Sequence, residues 1–264
     1  MIWDVDDTIA ETERDGHRVA FNQAFTGLGV PWQWDVPTYG RLLRVTGGFE
    51  RLIRDMEGRA QAPASAAERN RLARSVHRRK NQLYAEIVAA GGICIRPGVQ
   101  RLMDECASAR IALAIATTTS RPNVEALLSN LFGTGWQRFA AIVCADDAPI
   151  KKPDPMAYRF ALERLDIAAR DAMAVEDSPN GLAAARAIGI GTLITRSEYF
   201  VADTFPGCAG ICDDLDSAVT WRSGSAARTD IAALRRMHVA WINARSSRTP
   251  SAPSRSRHRP GPCG

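Results

Sequence analysis

The feature that most limits the fold is a change of texture at about residue 92. From there to about residue 211, four short apolar runs, IALAIA, AAIVCA, DAMAVE and IGTLIT, alternate with segments of helical pattern. Runs of this length and aliphatic character read as strands buried on both faces. Strands that alternate with helices run parallel, because each helix carries the chain back over the sheet. The fold class is therefore α/β, with helices on both faces of a parallel sheet. Residues 13–92 differ: HRVAFNQAF, YGRLLRVTGGFERLIRDM and ERNRLARSVHRRKNQLYAEIVAA repeat apolar positions every three or four residues and predict helices. MIWDV, ahead of that block, is one more strand. The chain thus leaves the sheet after its first strand, builds a helical cap and returns. The expected division is a core of residues 1–12 plus 93–221, a cap of 13–92, and an extension of 222–264.

Charge and cysteine usage narrow the function. The overall +5 is carried by the end of the chain: residues 224–264 hold eight arginines and one aspartate, leaving residues 1–223 at −2. From residue 245, RSSRTPSAPSRSRHRPGPCG has too little apolar content to offset its ordering entropy and is expected to be disordered. It reads either as a dispensable extension or as an arginine arm for an acidic partner; no aromatic residue interleaves its arginines for base stacking. The six cysteines show no CxxC pairing, which points to reduced thiols in a cytoplasmic protein and away from a zinc site. No stretch has the length of a membrane span.

Chemistry gathers where the predicted strands end, the rim on which ligands of open parallel sheets bind. Asp4, Asp6, Asp7 and Thr8 follow the first strand; Thr117, Thr118, Thr119 and Ser120 follow IALAIA. Lys151-Lys152-Pro153-Asp154 follows AAIVCADDAPI, and Glu176-Asp177 follows DAMAV, with Ser178 as helix N-cap, Pro179 at the first helical position and Gly189 closing that helix. Acids so close together call for a divalent cation, and an all-oxygen set suits magnesium. Hydroxyls and a lysine suit a phosphoryl group. Singly, each of these is more often a turn, a cap or a solvated boundary. Four in succession, each at a strand end, are not easily ascribed to turns.

DVDDT, AIATTTS, KKPDP and VEDSPNG resemble the four motifs of the haloacid dehalogenase superfamily, in the branch with a helical cap inserted after the first motif. The resemblance covers residues 1–220 and implies a Rossmann-like core. DVDDTIAETERDGHRVAFNQAF, TGGFERL and LAIATTTSRPNVEALL are similar, more narrowly, to the CbbY-like branch, phosphatases acting on xylulose-1,5-bisphosphate in Calvin-cycle operons. That resemblance implies Asp4 as nucleophile, Asp6 as general acid and base, and Thr117 and Lys152 holding the transferring oxygens. It implies Mg²⁺ on the Asp4 carboxylate, the Asp6 carbonyl and Asp177, with Glu176 binding directly or through water. Thr8 would brace the loop by hydrogen bonds, and Asp7 would be tolerated without a catalytic part.

For the substrate, the resemblance places Glu13, His17, Tyr39, Gly47, Gly48 and Arg51 of the cap, with Thr118, Thr119 and Ser120, around the sugar or a distal phosphate. His17 reads equally as a packing residue of its helix. Two departures stand out. Phe49 occupies a place in the TGG loop where CbbY-like chains tend to carry a basic residue, so Arg51 is expected to compensate if a second phosphate is bound. Only three residues precede Asp4, where a central strand ordinarily has five or six, so the natural start is expected upstream. The expected activity is a Mg²⁺-dependent phosphatase of small phosphorylated sugars, as a monomer or weak dimer without a membrane partner. The alternatives are a β-phosphoglucomutase-like or phosphoglycolate phosphatase activity, or a binding protein that touches nucleic acid through its basic tail.

Overall fold

The computed structural model describes residues 1–246. Its sheet contains β1 (Ile2–Trp3), β2 (Leu113–Ala116), β3 (Phe139–Val143), β4 (Met173–Glu176), β5 (Gly191–Thr195), β6 (Gly210–Cys212), β7 (Val219–Trp221) and β8 (Gly224–Ala226). The order across the sheet is β3-β2-β1-β4-β5-β6-β7-β8. All pairs from β3 to β6 are parallel, and β7 and β8 close the edge antiparallel. The two-residue β1 lies at the centre: Ile2 is in register with Ala114 and Ala174, and Trp3 with Ile115 and Val175. Bonds outside the strand proper extend its hold. The Met1 ammonium donates to the Ala112 carbonyl at 2.8 Å, and the Asp4 amide donates to Val175 at 3.0 Å.

Alternation along the strands divides the core. Ile2, Ala114, Ala116, Ala141 and Ala174 belong to one apolar cluster with Tyr158, Ala161 and Ala184. These last three lie on α7 (Met156–Leu165) and α8 (Pro179–Ala187), the two helices on that side. Trp3, Ile115, Val175 and Leu193 belong to the larger second cluster. It contains residues of α5 (Val99–Ser108) and α6 (Arg121–Phe132) and continues into the helical insertion. That insertion comprises a π-helical turn (Glu13–His17), α1 (Arg18–Gly27), α2 (Val36–Leu42), α3 (Gly48–Glu57) and α4 (Ala66–Ala89). The TGG stretch separates α2 from α3. Ser65 and Glu68 form a capping box at the start of α4.

The boundary expected at residue 222 falls in the turn between β7 and β8, and the chain beyond it packs on the sheet. Helix α9 (Ile231–Ser246) buries Ala233, Leu234 and Met237. Gly210 and Gly191 let it approach: a Cβ on either would meet Met237 Sδ at 2.6 Å or the Trp241 ring at 3.1 Å. The apolar spacing 231, 234, 237, 241 was present in the sequence but interrupted by Arg235 and Arg236. The tail expected to be disordered from residue 245 starts inside α9, where Arg245 lies 4.9 Å over the Trp241 ring; the rest of it, residues 247–264, is outside the described residues. Among the described residues, no helix is long and apolar enough to cross a membrane.

Arg96 secures the loops at the carboxyl end of the sheet, a role the sequence did not disclose. Its guanidinium donates to the carbonyl of Asp7, to that of Arg196 at 2.7 Å and to that of Asp213 at 2.9 Å. It thereby joins the turns after β1, β5 and β6. Arg96→Met leaves three inward-facing carbonyls without donors and is expected to destabilise the fold by about 2–4 kcal/mol, read from the urea midpoint. A midpoint unchanged by the substitution would show that water replaces these bonds.

Candidate active site

Four strand ends meet around Lys152. Its ammonium donates to Asp4 Oδ1 at 2.7 Å, Glu176 Oε1 at 2.6 Å and the Ala116 carbonyl at 2.8 Å, so all three of its donors are used. Two carboxylates beside it hold the ammonium well above the ordinary lysine range, although burial pulls it down. Glu176 is fully buried and also accepts from the Tyr158 hydroxyl at 2.6 Å and from Ser178 Oγ at 3.2 Å. Ser178 caps α8, accepting from the Gly181 amide at 3.0 Å. Gly181 has a second reason to be glycine: a Cβ there would sit 2.0 Å from the Glu176 carboxylate. Asp177 accepts from Ser197 Oγ at 2.7 Å, a partner from the loop after β5 that sequence reading missed.

Asp6 is held on three sides. Its Oδ1 accepts from Thr12 Oγ1 at 2.7 Å and lies 3.0 Å from His17 Nε2, while Thr119 Oγ1 donates to Oδ2. Burial pushes this carboxyl up, but His17 and the two hydroxyls outweigh it, and the group sits well below the usual carboxylate range. The π turn explains the contact with His17. The His17 amide reaches back to the Thr12 carbonyl at 2.7 Å, a wider turn that brings the ring onto Asp6. The same ring lies 4.0 Å from that of Tyr84, so His17 packs within the insertion, and it also lines the cleft. Asp7 has a part of its own: with φ +54, its Oδ1 accepts from the Thr12 and Glu13 amides, each at 3.0 Å, and so caps the entry to the insertion. Thr8 does not do what was expected of it. Its hydroxyl is buried without a partner, because the bracing of this loop is done by Asp7 and Arg96.

Thr117 is buried, and its Oγ1 accepts from the Thr119 amide at 3.2 Å. Thr118 lines both lobes of the cleft under the cap. One lobe, about 70 Å³, includes Asp4, Lys152, Asp177 and Asn180; the other, about 90 Å³, includes His17, Gly48, His77, Lys80, Lys151, Thr119 and Ser120. Asp6, Glu13, Gly47, Arg51 and Thr118 line both. Tyr39 does not reach the cleft: it is buried, donates to Glu13 Oε2 at 2.5 Å, and accepts from Arg51 Nη1 at 2.7 Å. Arg51 is thereby held against Tyr39, with Glu13 Oε2 3.7 Å away. Phe49 is half-buried beneath the guanidinium of Arg74, 5.7 Å from its ring centroid. Insertion and core also meet through Arg14 with Glu198 at 2.8 Å, Arg44 with Asp203 at 2.8 Å, and Asn180 with Thr46 at 2.9 Å.

The acids fit a hard divalent cation. Asp4, Glu176 and Asp177 can each bring a carboxylate oxygen within 4.8 Å of the others, and all three are buried. Burial, only partly offset by Lys152, pushes the Asp4 carboxyl up to about 8. Burial and then repulsion from Asp7, Glu176 and Asp4 hold Asp177 well above the usual range. A raised folded value stabilises below the ordinary 3.8, and that contribution is lost as pH climbs towards 8. A divalent cation bound there would compete with these protons. Thermal melts with EDTA and with millimolar Mg²⁺ are therefore expected to diverge as pH rises from about 5 to about 8, the cation adding about 2–3 kcal/mol when well above its Kd. Melts that stay superimposed at the upper pH would rule out a cation on these acids.

Residues 1–189 match the haloacid dehalogenase-like hydrolase family. The chain belongs to that family. Its relatives place it in the CbbY-like branch. It is 43% identical over 244 residues to plasmid-encoded CbbY of Cupriavidus necator, covering 90% of this chain and 96% of that one. It is 40% identical to CbbY of Rhodobacter capsulatus, over 83% and 95% of the two chains. Among solved structures, CbbY from Rhodobacter sphaeroides in complex with phosphate matches with a TM-score of 0.74 and 40% identity, over 81% of this chain and 92% of that one. A mutant of the same protein in complex with xylulose-(1,5)bisphosphate matches with a TM-score of 0.75 and 40% identity, over the same shares. This CbbY-like chain is a phosphatase, and its relatives and fold support a phosphorylated sugar as substrate.

Proposed function

We propose that the chain hydrolyses a small sugar bisphosphate, with xylulose-1,5-bisphosphate as the leading candidate, through a phosphoryl group carried transiently on Asp4. The observation that carries the proposal is Lys152 fixed between Asp4 and Glu176, with Asp6 held two residues from the nucleophile. Asp4 attacks phosphorus, the bond from phosphorus to the sugar oxygen breaks, and the departing oxygen takes a proton from Asp6. Water then attacks phosphorus while Asp6 takes its proton, phosphate leaves, and the Asp4 carboxylate is restored. His17 and two hydroxyls hold Asp6 as the carboxylate needed to take a proton from water in the second half, and it has to be protonated against that bias before the first. Lys152, and Thr117 from the adjoining strand end although it lines neither lobe, would hold the transferring oxygens. Asp4, Asp177, the Asp6 carbonyl and Glu176 would hold Mg²⁺, Glu176 directly or through water, and the cation would supply positive charge to the phosphoryl group.

The test is a phosphate-release screen over sugar monophosphates and bisphosphates, with EDTA as one arm. The expected result is xylulose-1,5-bisphosphate at the head of the series and no turnover after chelation. Equal kcat/KM on every small phosphate would remove the bisphosphate reading, and activity that survives chelation would remove the cation.

A further inference from the structure

The chain's basic residues are thirty-one arginines and three lysines. Lys80, Lys151 and Lys152 all line the cleft between insertion and core. Elsewhere every such basic position is arginine, so all three lysines lie at this cleft. A compact ammonium with three rotatable donors does there what a planar guanidinium does not. Lys152 belongs to the lobe with Asp4, while Lys80 and Lys151 belong to the other.

That second lobe has the form of an anion site apart from the nucleophile. The Lys80 side chain is nine-tenths or more buried, over the rings of Phe21 and Tyr84 at 5.2 and 5.1 Å, and donates no hydrogen bond to a described residue. Lys151 reaches from the core to Glu50 of α3, Nζ to Oε2 2.6 Å. It passes directly over the bare Cα of Gly47, where a Cβ would lie 2.4 Å from the ammonium. Glu50 is 46% exposed at its side chain, so this ion pair is weakly held. Arg51 is tied to Tyr39 and position 49 is phenylalanine, which leaves Lys151 and Lys80 as the lysines of this lobe.

Resting on the phosphatase reading above, we propose that Lys151 anchors the distal phosphate of a bisphosphate. It leaves Glu50 for the dianion in the lobe it shares with Lys80. The exchange is between a surface carboxylate and a more highly charged phosphate, with no bond made or broken. It also fits the shape of the cleft, since one lobe holds the phosphate to be transferred and the lobe next to it the phosphate that is kept.

The experiment compares steady-state kinetics of the full chain with Mg²⁺ on xylulose-1,5-bisphosphate and on p-nitrophenyl phosphate, which has no distal phosphate. Lys151→Met is expected to raise KM for the bisphosphate about 10- to 100-fold, the loss of one charge-assisted contact, with kcat little altered. The ratio of kcat/KM between the two substrates falls by the same factor. Lys151→Arg recovers part of that ratio, and Glu50→Gln, which frees the ammonium, lowers KM for the bisphosphate. An unchanged ratio in Lys151→Met, whether both activities persist or both decline together, overturns the proposal and leaves the phosphatase reading in place. An unaltered chain that releases phosphate from neither substrate overturns both.

Discussion

Lys152→Met is expected to destabilise the protein by about 3–5 kcal/mol and to eliminate measurable turnover. The two effects have one cause. Among the described residues the ammonium is the sole cation bonded to Asp4 and Glu176, and Glu176 is fully buried, so water does not replace it there. Removing one member of a buried ion pair leaves its partner uncompensated, here the fully buried Glu176 carboxylate, which outweighs the loss of the pair itself. Tyr158, which donates to the same Glu176 oxygen, compensates only in part. The measurement is urea unfolding at neutral pH in EDTA, paired with phosphate release. A variant as stable as the parent but inactive would mean that Lys152 acts on the phosphoryl group alone and contributes nothing to the resting site.

Asp4→Asn is expected to separate activity from stability. Turnover falls by at least about 10⁴-fold, because an amide cannot form the phosphoryl ester. Stability in EDTA at about pH 8 should not fall and is expected to rise, since a carboxyl already pushed up to about 8 by burial is replaced by a neutral group of the same shape. The Lys152 ammonium retains Glu176 and the Ala116 carbonyl as acceptors. Magnesium should then add less to the melting temperature of the variant than to that of the parent. A variant that loses stability by several kcal/mol would show that Asp4 is ionised in the cation-free site and paired favourably with Lys152.

Much of this site was legible because its residues come in short consecutive runs at strand ends. Asp4 and Asp6 lie two apart, Thr117 to Ser120 are contiguous, and Glu176, Asp177 and Ser178 form one run with Pro179 and Gly181 behind them. Once a parallel sheet was inferred from the apolar alternation, geometry brought those runs to one rim. Arg96, Ser197 and Tyr158 were not legible. Each lies in a different segment and matters through a single contact with a residue far away in sequence: Arg96 with Asp7, Ser197 with Asp177, Tyr158 with Glu176. Lysine scarcity was a sequence signal for Lys80 and Lys151, but only placement of all three lysines in one cleft gives it meaning.

The sequence alone determined the parallel α/β sheet, the excursion after the first strand and the acids at its rim, because periodicity and strand-end chemistry are local properties. Tertiary structure decided what each acid experiences. Asp4 and Asp6 are two residues apart, yet one carboxyl is pushed up and the other down. Burial acts on both, but the partners that offset it come from residues 12, 17 and 119 for one and from residue 152 for the other. Tertiary structure also moved residues 222–246 from extension to fold, since the glycines at 191 and 210 that admit α9 show their purpose only once the helix lies against them.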